Sequence, residues 1–134
     1  MQIATSQAKM FPHMSDATAA KIAAATGFCG VALGAFGAHG LSGTLEQFHT
    51  AHIWEKAVLY HLVHAGMLYI LALQRPFRAG PWLCFLFGIL AFSGSLYVLA
   101  ATNTRWLGAV TPLGGTSFLI GWAWLMVLAR RTEA

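Results

Sequence analysis

Four long apolar stretches, each about one bilayer thick when helical, constrain this chain more than anything else in it. A hydrocarbon core of roughly 30 Å is crossed by about 20 helical residues rising about 1.5 Å each. Stretches of that length occupy residues 17–38, 54–73, 82–101 and 106–129. Backbone N–H and C=O groups find no partner in lipid, so each stretch must close its hydrogen bonds within itself as an α-helix. Composition agrees, with 57% hydrophobic and 9% charged residues, against about a quarter charged in a soluble domain. The expected fold is therefore all-α: an integral membrane four-helix bundle, one domain over residues 17–134. Residues 1–16 mix Lys9, Pro12, His13 and Asp16 without periodicity and read as a loose or surface-lying tail.

The first span carries Gly27, Gly30, Gly34 and Gly37 three or four residues apart, which gathers them on one helix face. Gly30 and Gly34 form a GxxxG pair, the spacing through which membrane helices approach backbone to backbone. A cleaved signal peptide is the competing reading of this apolar run, but such glycine spacing suits permanent packing. Gly40, Ser42 and Gly43 end the first helix, and Thr44 with Gln47 has the form of a capping box. From Thr44 to Leu73 no proline or loop signal intervenes, so the stretch reads as one long helix, amphipathic for two turns and apolar from Ala57. Arg75, Pro76, Arg78, Gly80 and Pro81 make a basic turn, and Asn103 to Arg105 the next. Ser93, Gly94 and Ser95 read as a close-packing patch. In the fourth span Thr111, Pro112, Gly114 and Gly115 predict a kink or break that receives the glycine face of the first span, and Gly121 adds a further small packing position.

Lys9, Lys21, Arg75, Arg78, Arg130 and Arg131 fall on one side of this arrangement, Lys56 and Arg105 on the other. The positive-inside rule then places both termini in the cytoplasm of a multi-pass protein of the bacterial inner (cytoplasmic) membrane or its equivalent. Trp54, Trp82, Trp106, Trp122 and Trp124 lie near span ends, as interfacial aromatic belts do. The net charge of +4 is scattered, without the basic patch that nucleic acid requires. Cys29 and Cys84 lie inside apolar spans with no CxxC, which argues against a disulfide or zinc site.

Chemistry, if any, starts on the second span. At about 100° per residue, His49, His52, Lys56, Tyr60, Val63, His64 and Met67 fall within a face roughly 120° wide, while His61 and Glu55 point elsewhere. His64 lies ten residues beyond Trp54, hence about 15 Å deep and near mid-bilayer. Ionisable groups at that depth face the bundle interior and mark functional sites. The plainer reading is a neutral imidazole bonded to Ser93, Ser95 or Thr111 as structural glue. The sharper one is a site for a metal, proton or small anion built by His39, Lys56, Tyr60 and His64, although Lys56 sits close enough to the interface to snorkel. Glu46, His49 and His52, spaced by three, could hold a divalent metal together with His39, since imidazole suits Zn, Cu, Fe and Ni. A di-iron site is rejected because no other span carries a carboxylate, and a bis-histidine haem because one helix supplies all the deep histidines. No nucleophile elbow, phosphate loop or HExxH occurs. No catalytic residue is assigned, no cofactor is required, and an enzyme has the weakest support.

The motifs GAFGAHGL at 34–41, WEKAVLYHLVH at 54–64 with Trp54, Tyr60 and His64, FSGSLY at 92–97, TPLGG at 111–115 and Gly121–Trp122 resemble, in order, the small membrane family known as domain of unknown function 423. That family is related to the eukaryotic transmembrane protein 256. The resemblance covers nearly the whole chain after residue 20, while the long tail and His49, His52 and His61 lie outside its pattern. It implies a four-helix inner-membrane protein and carries no established activity. The function expected is that of a non-enzymatic accessory or partner-binding subunit, in contact with the bilayer and with another membrane protein or a second copy.

Overall fold

A computed structural model describes residues 16–132, with side chains through Ala129. The expected loose tail lies outside the described residues, apart from Asp16. The elements are α1 (Asp16–His39), α2 (Ser42–Gln47), α3 (Ala51–Leu73), α4 (Ala79–Gly88), a π-helical turn (Ile89–Ser93), α5 (Gly94–Thr102), a 3-10 turn (Arg105–Ala109) and α6 (Thr111–Thr132). Four helical runs are long and apolar enough to cross a membrane: Asp16–His39, Ala51–Leu73, Ala79–Thr102 and Arg105–Ala129. No strand occurs among the described residues. The fold is the all-α membrane architecture expected.

α3 is the axis. Its buried residues include Trp54, Ala57, His61, His64, Leu68 and Leu71, which alternate by three and four as do the seam positions of a coiled coil. α1 packs along one side of α3, the third span (α4, π turn and α5) along another, and α6 against the third span. Two apolar clusters form around this seam. One joins Ala19, Ala23, Leu68, Leu71, Trp82, Phe85 and Phe118, and the other Leu45, Trp54, Ala57, Leu96, Tyr97 and Ala100. His61 and His64 fall between them along α3.

Side-chain hydrogen bonds to backbone carbonyls tie the third span to α3 at three levels. Trp82 Nε1 donates to Leu68 O (3.1 Å), Ser93 Oγ to Ala57 O (2.9 Å) and Thr50 Oγ1, just before α3, to Ala100 O (2.7 Å). Such bonds matter in lipid because the apolar effect between helices is weak there.

Three expectations need correction. First, the helix expected from Thr44 to Leu73 is two helices. His49 adopts a left-handed backbone with φ 55°, His49 N bonds to Glu46 O and Thr50 N to Leu45 O. This is a Schellman ending with histidine where glycine is usual, and the short helix before it starts at Ser42, so the capping box at Thr44 and Gln47 is not its start. Second, Pro112 causes no kink inside a helix. It is the second residue of α6, where an N–H would have no intrahelical acceptor anyway, and the break is the change from 3-10 turn to α-helix at Val110. Third, the two glycine faces have different partners. Those of α1 meet α3: a Cβ on Gly30 would lie 2.7 Å from Leu62 Cδ2, one on Gly34 3.3 Å from Val58 Cγ1, and one on Gly37 would enter the Trp54 indole. Those of α6 meet the third span: a Cβ on Gly114 would enter the Phe92 backbone, and one on Gly121 would lie 2.6 Å from Phe85 Cε1. Gly115 meets Phe92 only at ordinary contact distance, and Gly27 has nothing within 4 Å.

Candidate functional site

The two buried histidines occupy successive seam positions on α3 and make a polar layer between the apolar clusters. His64 Nδ1 lies 2.8 Å from Tyr60 O, and Trp122 Nε1 lies 3.1 Å from His64 Nε2. A carbonyl only accepts and an indole N–H only donates. The His64 proton is therefore on Nδ1, and the ring is neutral. Its face stacks on Phe118 at 3.6 Å between centroids and 11° between planes, and Phe85 and Trp122 close its edges.

His61 carries the opposite tautomer. Its Nε2 lies 3.0 Å from Thr26 O on α1, so the proton is there, and its Nδ1 accepts from the Tyr97 hydroxyl at 3.1 Å. Tyr97 meets Trp54 edge-on at 4.8 Å, and Trp54 Nε1 donates to Leu33 O on α1 at 3.0 Å. His61 thus joins α3 to α1 and α5, while His64 joins α3 to α6. Among the described residues no buried side-chain nitrogen or oxygen lacks a partner. A metal needs an imidazole lone pair, and in this arrangement both lone pairs are engaged.

Of His39, Lys56, Tyr60 and His64, the structure brings Tyr60 and His64 together. Their rings are 6.1 Å apart at 15°, with Tyr60 also 4.6 Å from Phe92. Lys56 is exposed one turn earlier on α3, and His39 is exposed at the end of α1. His64 does not bond to Ser93, Ser95 or Thr111, because its own helix and Trp122 satisfy both nitrogens. Ser93 bonds to Ala57 O instead, and Ser95 and Thr111 pair with each other at 2.9 Å. Glu46, His49 and His52 are exposed on α2, the link and α3 respectively, so the left-handed turn at His49 takes them off any common helix side. Among the described residues no three of His, Cys, Asp and Glu gather as a metal-binding group.

His61, Tyr97, Trp122 and Thr26 carry this layer without standing among the candidate site residues, and Trp122, expected in the interfacial belt, bonds to His64 instead. The seam spacing Trp54, Ala57, His61, His64, Leu68, Leu71 is the signal that finds His61. Following polar residues instead leads to the exposed side of α3. A groove of about 460 Å³ lies elsewhere, between α1, α2 and α3, with Gly34, Gly37, Trp54 and Val58 in its wall and Glu46 and Glu55 among its polar residues.

The family model described as "Protein of unknown function (DUF423)" matches residues 33–115, which include most of this layer. The chain is 47% identical to the UPF0382 membrane protein SERP0230 of Staphylococcus epidermidis, over 72% of this chain and 82% of that one. It is 43% identical to the UPF0382 membrane protein YwdK of Bacillus subtilis, over 74% and 85%. It is also 43% identical to the UPF0382 inner membrane protein YgdD of Escherichia coli, over 83% and 88%. No solved structure matches.

Proposed function

The chain belongs to the DUF423 family of multi-pass membrane proteins, and from that premise we propose that it acts as a non-enzymatic accessory subunit that binds a partner within the membrane. The observation that carries this reading is the closure of the interior. Each buried polar side chain among the described residues is spent on another part of the same chain, so activity is left to the surfaces. α1 offers one such surface: its side away from α3 exposes Phe28, Val31 and Phe36, interleaved with Ala24, Ala25, Cys29 and Ala32. Large apolar side chains set among small ones form ridges and gaps against which a neighbouring helix packs by van der Waals contact. The partner is another membrane protein or a second copy. Both termini face the cytoplasm in this reading, on the Lys/Arg imbalance.

A second reading, a metal, proton or small-anion site through His39, Lys56, Tyr60 and His64, is favoured by the adjacency of Tyr60 and His64. Native mass spectrometry of the protein released gently from its own membrane separates the two. Added mass that resolves into a polypeptide supports the subunit. A small added mass lost in His64→Ala supports the ligand site, and a bare chain counts against both.

A further inference from the structure

At the end of α3 opposite α2, a groove of about 440 Å³ lies between α3 and α6. Its apolar lining comes from Met67 on α3, over the fully buried Leu71, and from Leu125 and Leu128 on α6, and the end of α3 and the turn after it add Gln74, Arg75 and Arg78. From Met67 to Gln74 the wall runs seven residues, about 10 Å along the helix axis. It therefore starts where an interfacial headgroup sits and continues into the acyl region.

Charge at the mouth is unbalanced. Arg75 Nε pairs with Asp16 at 3.2 Å, and its Nη1 donates to Ala72 O and Gln74 O, closing the end of α3. That pairing uses the carboxylate of Asp16, and Arg78 has no acidic partner among the described residues. α6 continues directly into Arg130 and Arg131 in its next turn. An apolar channel ending in guanidinium groups matches an amphiphile with an anionic head, and guanidinium is the side chain best suited to phosphate oxygens. Basic pockets between membrane helices recognise anionic lipid in this way.

We propose that the groove between α3 and α6 binds one anionic phospholipid, its phosphodiester held by Arg78 and Arg75 and an acyl chain lying along Met67 and Leu125. The full-length protein in micelles containing equal phosphatidylglycerol and phosphatidylcholine provides the test, with retained lipids counted by native mass spectrometry. The wild type retains one phosphatidylglycerol per chain in preference to phosphatidylcholine. Arg78→Gln lowers that preference about fivefold, the equivalent of the roughly 1 kcal/mol that one basic side chain supplies at an anionic membrane surface. Arg78 rather than Arg75 is substituted because Arg75 also closes α3 and pairs with Asp16. Leu125→Trp keeps every charge but fills the channel, and it abolishes retention. Arg105→Gln, on the exposed turn before α6 and outside the groove, leaves retention unchanged, and circular dichroism checks that each variant stays helical. Equal retention of both lipids by the wild type overturns the proposal. So does loss in Arg78→Gln without loss in Leu125→Trp, which means surface attraction only. Displacement by millimolar inorganic phosphate means a free-phosphate site and overturns it as well.

Discussion

Alanine placed at Gly114, Gly115 and Gly27 changes the chain by the same single methyl group, yet the structure sets the first apart from the other two. At Gly114 the new Cβ enters the backbone of Phe92 in the π-helical turn, and backbone cannot swing aside as a side-chain tip can. α6 must move off the third span, which loosens the stacking of Phe118 on His64 and lengthens the bond from Trp122. Overpacking costs about 1–3 kcal/mol, and with backbone as the obstruction the upper end applies, so Gly114→Ala loses about 3 kcal/mol. At Gly115 the nearest atom is Phe92 Cδ2 at 3.7 Å, ordinary contact, so steric cost is absent. At Gly27 nothing lies within 4 Å, and Gly27→Ala gains about 0.5–1 kcal/mol from the lower flexibility of alanine in a helix. The assay is equilibrium unfolding in mixed micelles with rising sodium dodecyl sulfate, followed by far-ultraviolet circular dichroism. If Gly114→Ala and Gly115→Ala unfold at the same detergent fraction, the close contact between α6 and the π turn is wrong.

Trp122→Phe keeps an aromatic ring but removes the donor to His64 Nε2, and should cost about 1–2 kcal/mol as a buried acceptor loses its partner. In a His64→Phe background the same change should cost less, and an unchanged cost in that double-mutant cycle refutes the bond. Tyr97→Phe strips the donor from His61 Nδ1 and should destabilise by a similar amount of about 1 kcal/mol, whereas Trp106→Phe, at a 70% exposed residue, should be silent in the same unfolding assay. His49→Gly replaces a side chain held at positive φ and should be neutral or stabilise by up to about 1 kcal/mol; a clear loss of stability would count against the left-handed ending of α2.

The spans were legible because lipid leaves the backbone a single solution, and length with hydropathy locates it. Details inside the spans were not, and each for its own reason. The break at His49 carries no glycine or proline, so the two local hydrogen bonds closing α2 have no residue-type signal in the sequence. The π turn inserts its extra residue within ILAFS, where nothing distinguishes one apolar residue from the next. Glycine spacing identified packing positions but could not rank them: Gly27 shares the spacing of Gly30 and touches nothing, while Gly88, in no recognised pattern, faces Phe118 so closely that a Cβ would collide. The histidine layer was half legible. Depth points to His64, but hydrophobic seam residues, not polar ones, mark the side of α3 that is buried, and so a reading that follows the polar face leaves His61 out of the site.

The opposite tautomers of His61 and His64 have an electrical consequence. Each ring carries one proton fixed between a donor and an acceptor, so the layer holds no net charge in the middle of the span. A full charge moving across the membrane gains or loses about 2.3 kcal/mol per 100 mV, and a neutral layer gains or loses almost none. The fold around α3 should therefore be equally stable in energised and de-energised cells, with voltage acting only on the charged residues toward its ends.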